Sequence, residues 1–454
     1  MEINSNENQP IFDSSWHSKF KENGMVEVIE LLTIEEKNRD EQKKLFLSGE
    51  IRNPQFEYPK LKRDFLEKRE ENLLNLKKDI LGKENNEVVK QAYRWRINES
   101  LAKLRMLKSS ISGEMRKFKR YADFIYGKPS KDIFNYTLQG IKKTIDSCSN
   151  SDRTDLKNLA GQLNFLIDFN MKETKAFELP SSEVIELAKK MTREEFSDLI
   201  NIIPKDADKF DSIKIKEVFQ EGLNFLEAEN WQVIIDKNTR AINVVQDEQL
   251  VKIPESRVLK KDKMIKLNLH EIGTHIKRRV MGERSRLKLL SIGLDRYEKG
   301  EEGIATMREQ TMSINLKDFS GFDGHLAIGL ALGLDGKPRD FREVYEILEK
   351  YYLLKKIKSG KDSELAQKEA QEAAWRRCIR TFQGTDCQTL GVCYPKDIVY
   401  REGNIGVWEV IKRDSQEMKR FSMGKYDSAN PRHLWILEQL GISDKNLEDI
   451  ENEK

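Results

Sequence analysis

Two histidines flank a glutamate in His270-Glu271-Ile272-Gly273-Thr274-His275. Imidazole nitrogens suit zinc, and an adjacent carboxylate can take a proton from a metal-bound water, so the string holds the basic parts of a zinc hydrolase. In the usual HExxH arrangement the histidines lie four residues apart, about 40° around an ideal helix. Here they lie five apart, about 140°. A regular helix cannot aim both rings at one ion. We therefore expect a one-residue π-type bulge around Ile272 to Thr274, with Gly273 where a helix tolerates distortion best.

A third ligand must come from elsewhere. Glu298, Glu301 and Glu302 all follow the motif, with 26 residues between His275 and Glu302. The neighbouring Gly303 and Ala305 would let their helix approach the His helix closely. Spacing alone leaves the three glutamates in competition. Glu271, beside the ligands, is the expected general base, passing its proton on to the leaving amine. An oxyanion needs a further stabiliser. Tyr400 and His325 are the candidates.

The elements that must position these groups are mostly helical. Leu66, Leu73 and Ile80 recur at seven-residue spacing, and Ile97, Leu101, Leu104 and Leu107 mark a second long helix over 88–110. Thr192-Arg193-Glu194-Glu195 has the form of a capping box at a helix start. Leu326 to Leu334 reads as a buried helix ending at Gly333, and glycine-rich breaks fall at 293–303 and 384–406. The sheet signal is confined to Trp231–Asp236, Ala241–Gln246 and Gln249–Ile253, just before the motif. The expected fold class is α+β, predominantly helical, a zinc metallopeptidase-like fold with a short sheet preceding the active-site helix. The organisation expected is a loosely ordered arm over 1–44, a helical part over 45–230, a sheet and metal-binding core over 231–442, and an acidic tail over 443–454.

Composition excludes several classes. The chain of 454 residues is 38% hydrophobic and 35% charged. No apolar run approaches the roughly 20 residues that span a bilayer, and Met1 to Pro10 lacks the basic and apolar regions of a secretory leader. A cytoplasmic, membrane-free location is expected. Cys148, Cys378, Cys387 and Cys393 show no ligand or disulfide spacing and are expected as buried thiols. Net charge is +3, too balanced to announce nucleic acid as a partner, and Gly336-Lys337-Pro338 is no phosphate loop. Between Lys90 and Arg120, however, ten basic residues face two acidic ones, a segment on which an acidic partner or tail could dock.

The motif resembles that of the microtubule-associated tyrosine carboxypeptidases and their bacterial relatives, which carry the same His-Glu-Ile-Gly-Thr-His string. Their (Gln/Glu)-Glu-Gly-Leu-Ala segment is similar to Glu301-Glu302-Gly303-Ile304-Ala305, with Ile for Leu. Tyr126-Gly127-Lys128-Pro129-Ser130, the helix start at Asp340–Tyr345 and Lys396-Asp397-Ile398-Val399-Tyr400 resemble further family segments, so the likeness runs over roughly 50–440. His325 stands where an aromatic residue is expected. The resemblance implies one Zn2+ held by His270, His275 and Glu302, and removal of a C-terminal Tyr or other aromatic residue from a peptide or protein. Such an enzyme needs a cation for the terminal carboxylate, for which Arg376, Arg380 and Lys396 are candidates. The strand Gln249–Ile253 could hold the substrate by β-augmentation. Two alternatives remain: an exopeptidase resembling dipeptidyl-peptidase III, which reads the free N-terminus, and a zinc-containing binding protein without catalysis.

Overall fold

The computed structural model describes residues 11–169, 177–239, 241–313 and 315–442. Helices predominate and the sheets are small, as the α+β expectation requires. The acidic tail expected over 443–454 lies outside the described residues.

Residues 11–44 are not a loose arm. Helices α1 (Ser14–Gly24), α2 (Val28–Leu31) and α3 (Glu36–Ser48) bury Trp16, Phe20, Val28, Leu32 and Phe46 in the largest apolar core. Asp13 ties the segment down by accepting from the Tyr93 hydroxyl (2.7 Å) and from the Lys288 and Leu289 amides. Helix propensity and sparse apolar residues hid this, because a few large aromatics bury as much area as a long aliphatic stripe.

The two long helices appear as α4 (Arg63–Lys83), which buries Leu66, Leu73, Leu76 and Ile80, and α5 (Glu87–Ile111). After α6 (Met115–Tyr126), α7 (Lys131–Ser149) and α8 (Thr154–Leu166) comes α9 (Ser182–Glu195). Thr192 to Glu195 therefore ends a helix and does not start one. The working cap is Ser181, which accepts from the Val184 amide, while the Thr192 hydroxyl bonds back to the Ala188 carbonyl at 2.8 Å.

Next along the chain lie α10 (Ser197–Asn201), β1 (Lys209–Phe210), α11 (Ser212–Phe225), β2 (Gln232–Asp236), β3 (Asn243–Val245), β4 (Leu250–Pro254) and β5 (Leu259–Lys260). β4 is the centre of a three-stranded sheet, parallel to β2 and antiparallel to β3; β1 and β5 form a separate two-residue ladder. Both edges of β4 are thus occupied. The augmentation expected of Gln249–Ile253 is corrected: the edge available beside the motif is β3. Beneath this sheet a second apolar core, including Phe196, Phe219, Val251, Ile253 and Ile272, supports the His-bearing helix.

The remaining helices are α12 (Lys261–His270), α13 (Lys277–Arg284), α14 (Leu289–Ile292), α15 (Glu298–Thr311), α16 (Phe322–Leu332), α17 (Phe341–Lys358), α18 (Ser363–Phe382), α19 (Ile398–Arg413) and α20 (Pro431–Gln439). α16 ends at Gly333 in the left-handed conformation, as expected. α17 opens with a capping box between Asp340 and Glu343. The glycines read as breaks serve α15 and α19 differently. A Cβ on Gly403 would stand 2.0 Å from the Lys299 carbonyl oxygen, and one on Gly303 would stand 2.4 Å from that of Gly403. These residues let two helix backbones touch. Gly303 faces α19 and not, as expected, the His helix.

Residues on both sides of 231 share the largest core, which joins helices of 16–167 to segments from 287 onward. All four cysteines are free and buried. Among the described residues no helix is long and apolar enough to cross a membrane.

Candidate metal centre

α12 runs into a π-helical turn, Glu271–Ile276, before α13 resumes. The Lys277 amide reaches back five residues to the Ile272 carbonyl, and the extra residue swings His275 onto the face of His270. The bulge inferred from the spacing is thus present. Its support is chemical: the Thr274 hydroxyl caps the Leu269 carbonyl at 2.8 Å, while buried Arg308 donates to the Gly273 carbonyl (2.9 Å) and to Thr274 Oγ1 (3.1 Å). Gly273 serves packing rather than backbone freedom, since a Cβ there would press on the Phe196 ring at 3.2 Å.

The rings of His270 and His275 stand 4.9 Å apart and nearly perpendicular. One ligand atom from each of His270, Glu271 and His275 falls within 4.8 Å of the others. From α15, Glu302 Oε2 faces both histidines, 3.8 Å from His270 Nε2 and 4.0 Å from His275 Nε2. That oxygen is buried and has no hydrogen-bond partner among the described residues. The other ring nitrogens each face a carboxylate. His275 Nδ1 lies 2.9 Å from Glu301 Oε1, and His270 Nδ1 lies 2.5 Å from Glu309 Oε1 as an ion pair without the alignment of a hydrogen bond.

The three glutamates in competition are now separated by what they touch. Glu301 turns to Arg278 (2.5 Å) and Lys425 (3.0 Å), and Glu298 to Lys103 (3.4 Å) and Lys396 (3.5 Å). Only Glu302 faces both imidazole Nε2 atoms. Glu309 escaped the sequence reading, although it lies seven residues beyond Glu302, two helical turns on the same face. Arg308 also escaped it, because its role depends on a π turn 35 residues away.

Burial raises the Glu271 carboxyl above its ordinary range, against the pull of both histidines. Burial would depress His270, but Glu309, Glu271 and Glu302 outweigh it and lift the ring up to about 10. The pocket thus concentrates negative charge on an imidazole pair. Burial likewise opposes the ionised Glu301, yet Lys425 and Arg278 hold it well below the carboxylate range.

The centre opens into a cleft of about 530 Å³ whose walls include Glu302, Lys396, Tyr400 and Arg380, the β3 edge from Ala241 to Gln246, and residues 25–30. The Tyr400 phenol, on the wall of the same cleft, is raised chiefly by the Glu302 charge. Burial would lower Lys396, but Glu298 and its neighbours keep it charged. Arg380 grips Asp397 through two bonds of 2.9 and 2.6 Å.

Two expected site residues are elsewhere. His325 is fully buried in α16, 3.2 Å from Glu402 and beside the Phe134 ring, and does not line the cleft. Its helix is apolar on every side, so its imidazole is a core group with one acidic partner. Arg376 is exposed on α18 and lines a different cavity. The basic stretch Lys90–Arg120 also proves less available than its charge implied. Arg96 and Lys103 point inward to Glu99 (2.6 and 2.9 Å), and Arg105 and Lys108 both clasp Glu70. A uniform docking face does not form, because the helix carrying these cations is largely buried.

Residues 171–360 match the family model described as microtubule-associated tyrosine carboxypeptidase. The family resemblance read from the sequence is thereby shown over that segment, which is shorter than the 50–440 stretch on which the motifs suggested it. His270, Glu271, His275, Glu302 and Glu309 lie inside the match; Arg380, Lys396 and Tyr400 lie beyond it. No curated protein and no solved structure matches the chain.

Proposed function

We propose that the chain is a zinc-dependent carboxypeptidase that releases a C-terminal Tyr or another aromatic residue. The carrying observation is the facing of His270 Nε2, His275 Nε2 and Glu302 Oε2 while carboxylates engage both Nδ1 atoms. Zinc-ligating histidines almost always donate their second nitrogen to such a partner, which fixes ring and tautomer. Two nitrogens and one carboxylate are a donor set typical of catalytic zinc, and the buried Glu302 oxygen, without a hydrogen-bond partner among the described residues, is free to join it. Zinc bound there would supply Lewis acidity and a water acidified to near neutrality.

The chain's own residues do the rest. Glu271, half-buried next to both ligands, accepts the water's proton and returns it to the departing amine. Tyr400 lines the same cleft as Glu302 with its phenol kept protonated, so it can donate to the developing oxyanion. Lys396 and Arg380 on the same wall can read the terminal carboxylate. The β3 edge can pair with the substrate's main chain. The matched family's name supports carboxypeptidase chemistry, with a peptide or protein C-terminus as substrate.

One peptide ending in Tyr, offered free, C-terminally amidated and N-terminally acetylated, tests the reading by mass spectrometry. Amidation should cost roughly 2–5 kcal/mol in transition-state binding, because the cleft cation loses its partner. Acetylation should have little effect. Cleavage that survives amidation and stops on acetylation would replace this reading with the dipeptidyl-peptidase III-like one. Intact peptide in all three forms, with zinc bound, would favour the binding protein.

A further inference from the structure

On the far side of Arg380 lies a second cavity of about 360 Å³, between α17 and α18. Its wall carries Lys355, Lys356, Arg376, Arg377 and Arg380 against a single acid, Asp323. Neighbouring acids do not balance these cations. Arg377 and Arg380 share one carboxylate, Asp397, and Lys356 shares Glu369 with Lys361. Lys355 and Arg376 are exposed, with no acidic partner among the described residues; Lys355 overhangs the Tyr351 ring at 5.3 Å and the Phe322 ring at 6.0 Å.

Five cations converging from two helices on one concavity repel one another unless an anion joins them. The chemistry of that anion follows from the arrangement. A carboxylate is planar and is satisfied by one guanidinium fork. Here guanidiniums at i, i+1 and i+4 on α18 meet ammonium groups from α17, so donors arrive from two directions. A tetrahedral dianion with three terminal oxygens can use both sets at once.

We propose that this pocket is a binding site for a phosphate group, either inorganic phosphate or a phosphate monoester. The site adjoins the catalytic cleft, with Arg380 forming part of both walls. Occupancy is therefore expected to change KM for a peptide substrate, a coupling that rests on the peptidase reading, whereas binding itself does not.

Calorimetric titration of the purified full chain, at constant ionic strength, tests the binding without reference to peptidase activity. The ligands are inorganic phosphate, a phosphoserine peptide and the same peptide with Glu for phosphoserine. Saturable binding of either phosphate ligand is expected, and the one that binds more tightly identifies the source. The double variant Lys355→Ala/Arg376→Ala removes only exposed side chains, and its melting temperature checks the fold. It should bind phosphate at least about tenfold more weakly, the loss expected when charged hydrogen bonds are removed. The proposal falls if neither phosphate ligand saturates or if the double variant binds unchanged. It also falls if the Glu peptide binds as tightly as the phosphopeptide, which would make the pocket a general acidic docking site.

Discussion

Nδ1 of His275 lies 2.9 Å from Oε1 of Glu301, and the same carboxylate receives Arg278 and Lys425. All three partners and Glu301 itself are largely buried, so this group both orients the ring and neutralises two cations inside the protein. Glu301→Gln should act at both levels. Zinc affinity, read by competition with a chelator, should fall about 10- to 100-fold, the usual cost of losing such a support. Stability in urea should fall by about 3–5 kcal/mol, because buried cations are left unbalanced. Unchanged affinity would mean that His275 needs no carboxylate to hold its orientation.

Two glycines on α19 separate close packing from helix propensity. A Cβ at Gly403 would lie 2.0 Å from the Lys299 carbonyl oxygen, so Gly403→Ala must push α15 and α19 apart. At Gly406 it would meet only the Ala429 methyl at 3.5 Å, an ordinary contact. Thermal unfolding should show Gly403→Ala destabilised by about 1–3 kcal/mol or more. Gly406→Ala should be neutral or gain up to about 1 kcal/mol from its better helix propensity. Equal effects would remove the packing explanation.

That contact also shows where the sequence stopped being legible. The spacing of His270 and His275 dictates a π turn because only one backbone solution lets both rings face one point. Short-range patterns were equally readable: Leu66, Leu73 and Ile80 for α4, the three strands before the motif, Gly333 as a helix end. The meaning of Gly303 and Gly403 was not, since each is explained by a backbone a hundred residues away. Arg96 and Lys103 look like a surface charge run, although their shared partner Glu99 lies on the same helix; only Glu298, which Lys103 also meets, comes from far along the chain. His325 shows the converse: a reactive side chain in the sequence is a core residue once its helix is surrounded. Even the central place of β4 depends on a parallel pairing with β2 that local strand propensity does not encode.

Glu99 links the fold to pH. Burial would raise its carboxyl, but Arg96 at 2.6 Å and Lys103 at 2.9 Å hold it down to about 2. A folded-state pKa below the ordinary 4.5 stabilises the fold above that pH, and the contribution is lost as pH falls toward 2. Glu99→Gln should therefore be less stable than the parent at neutral pH by about 3 kcal/mol. The gap should narrow between pH 4.5 and 2, as the parent's carboxylate also becomes neutral. Urea melts of both proteins across that range measure it. A gap independent of pH would show that shape, and not charge, makes Glu99 necessary.

Glu271 and Glu302 are both glutamates in one pocket, yet the proposed chemistry gives them different parts. Glu302 faces the two imidazole Nε2 atoms with an oxygen that has no hydrogen-bond partner, the posture of a ligand. Glu271 begins the π turn, where burial raises its carboxyl and so favours its taking up a proton. Replacing either by Gln keeps the shape and removes the charge. Glu271→Gln should retain about one zinc per chain and lose about 10²- to 10⁴-fold in kcat, the range for removing a general base. Glu302→Gln should instead lose zinc on dialysis, and its turnover should recover in part when zinc is added in excess. Elemental analysis and single-substrate kinetics on the same preparations distinguish the two. If Glu271→Gln lost the metal while Glu302→Gln kept it and lost turnover, ligand and base would have to be exchanged.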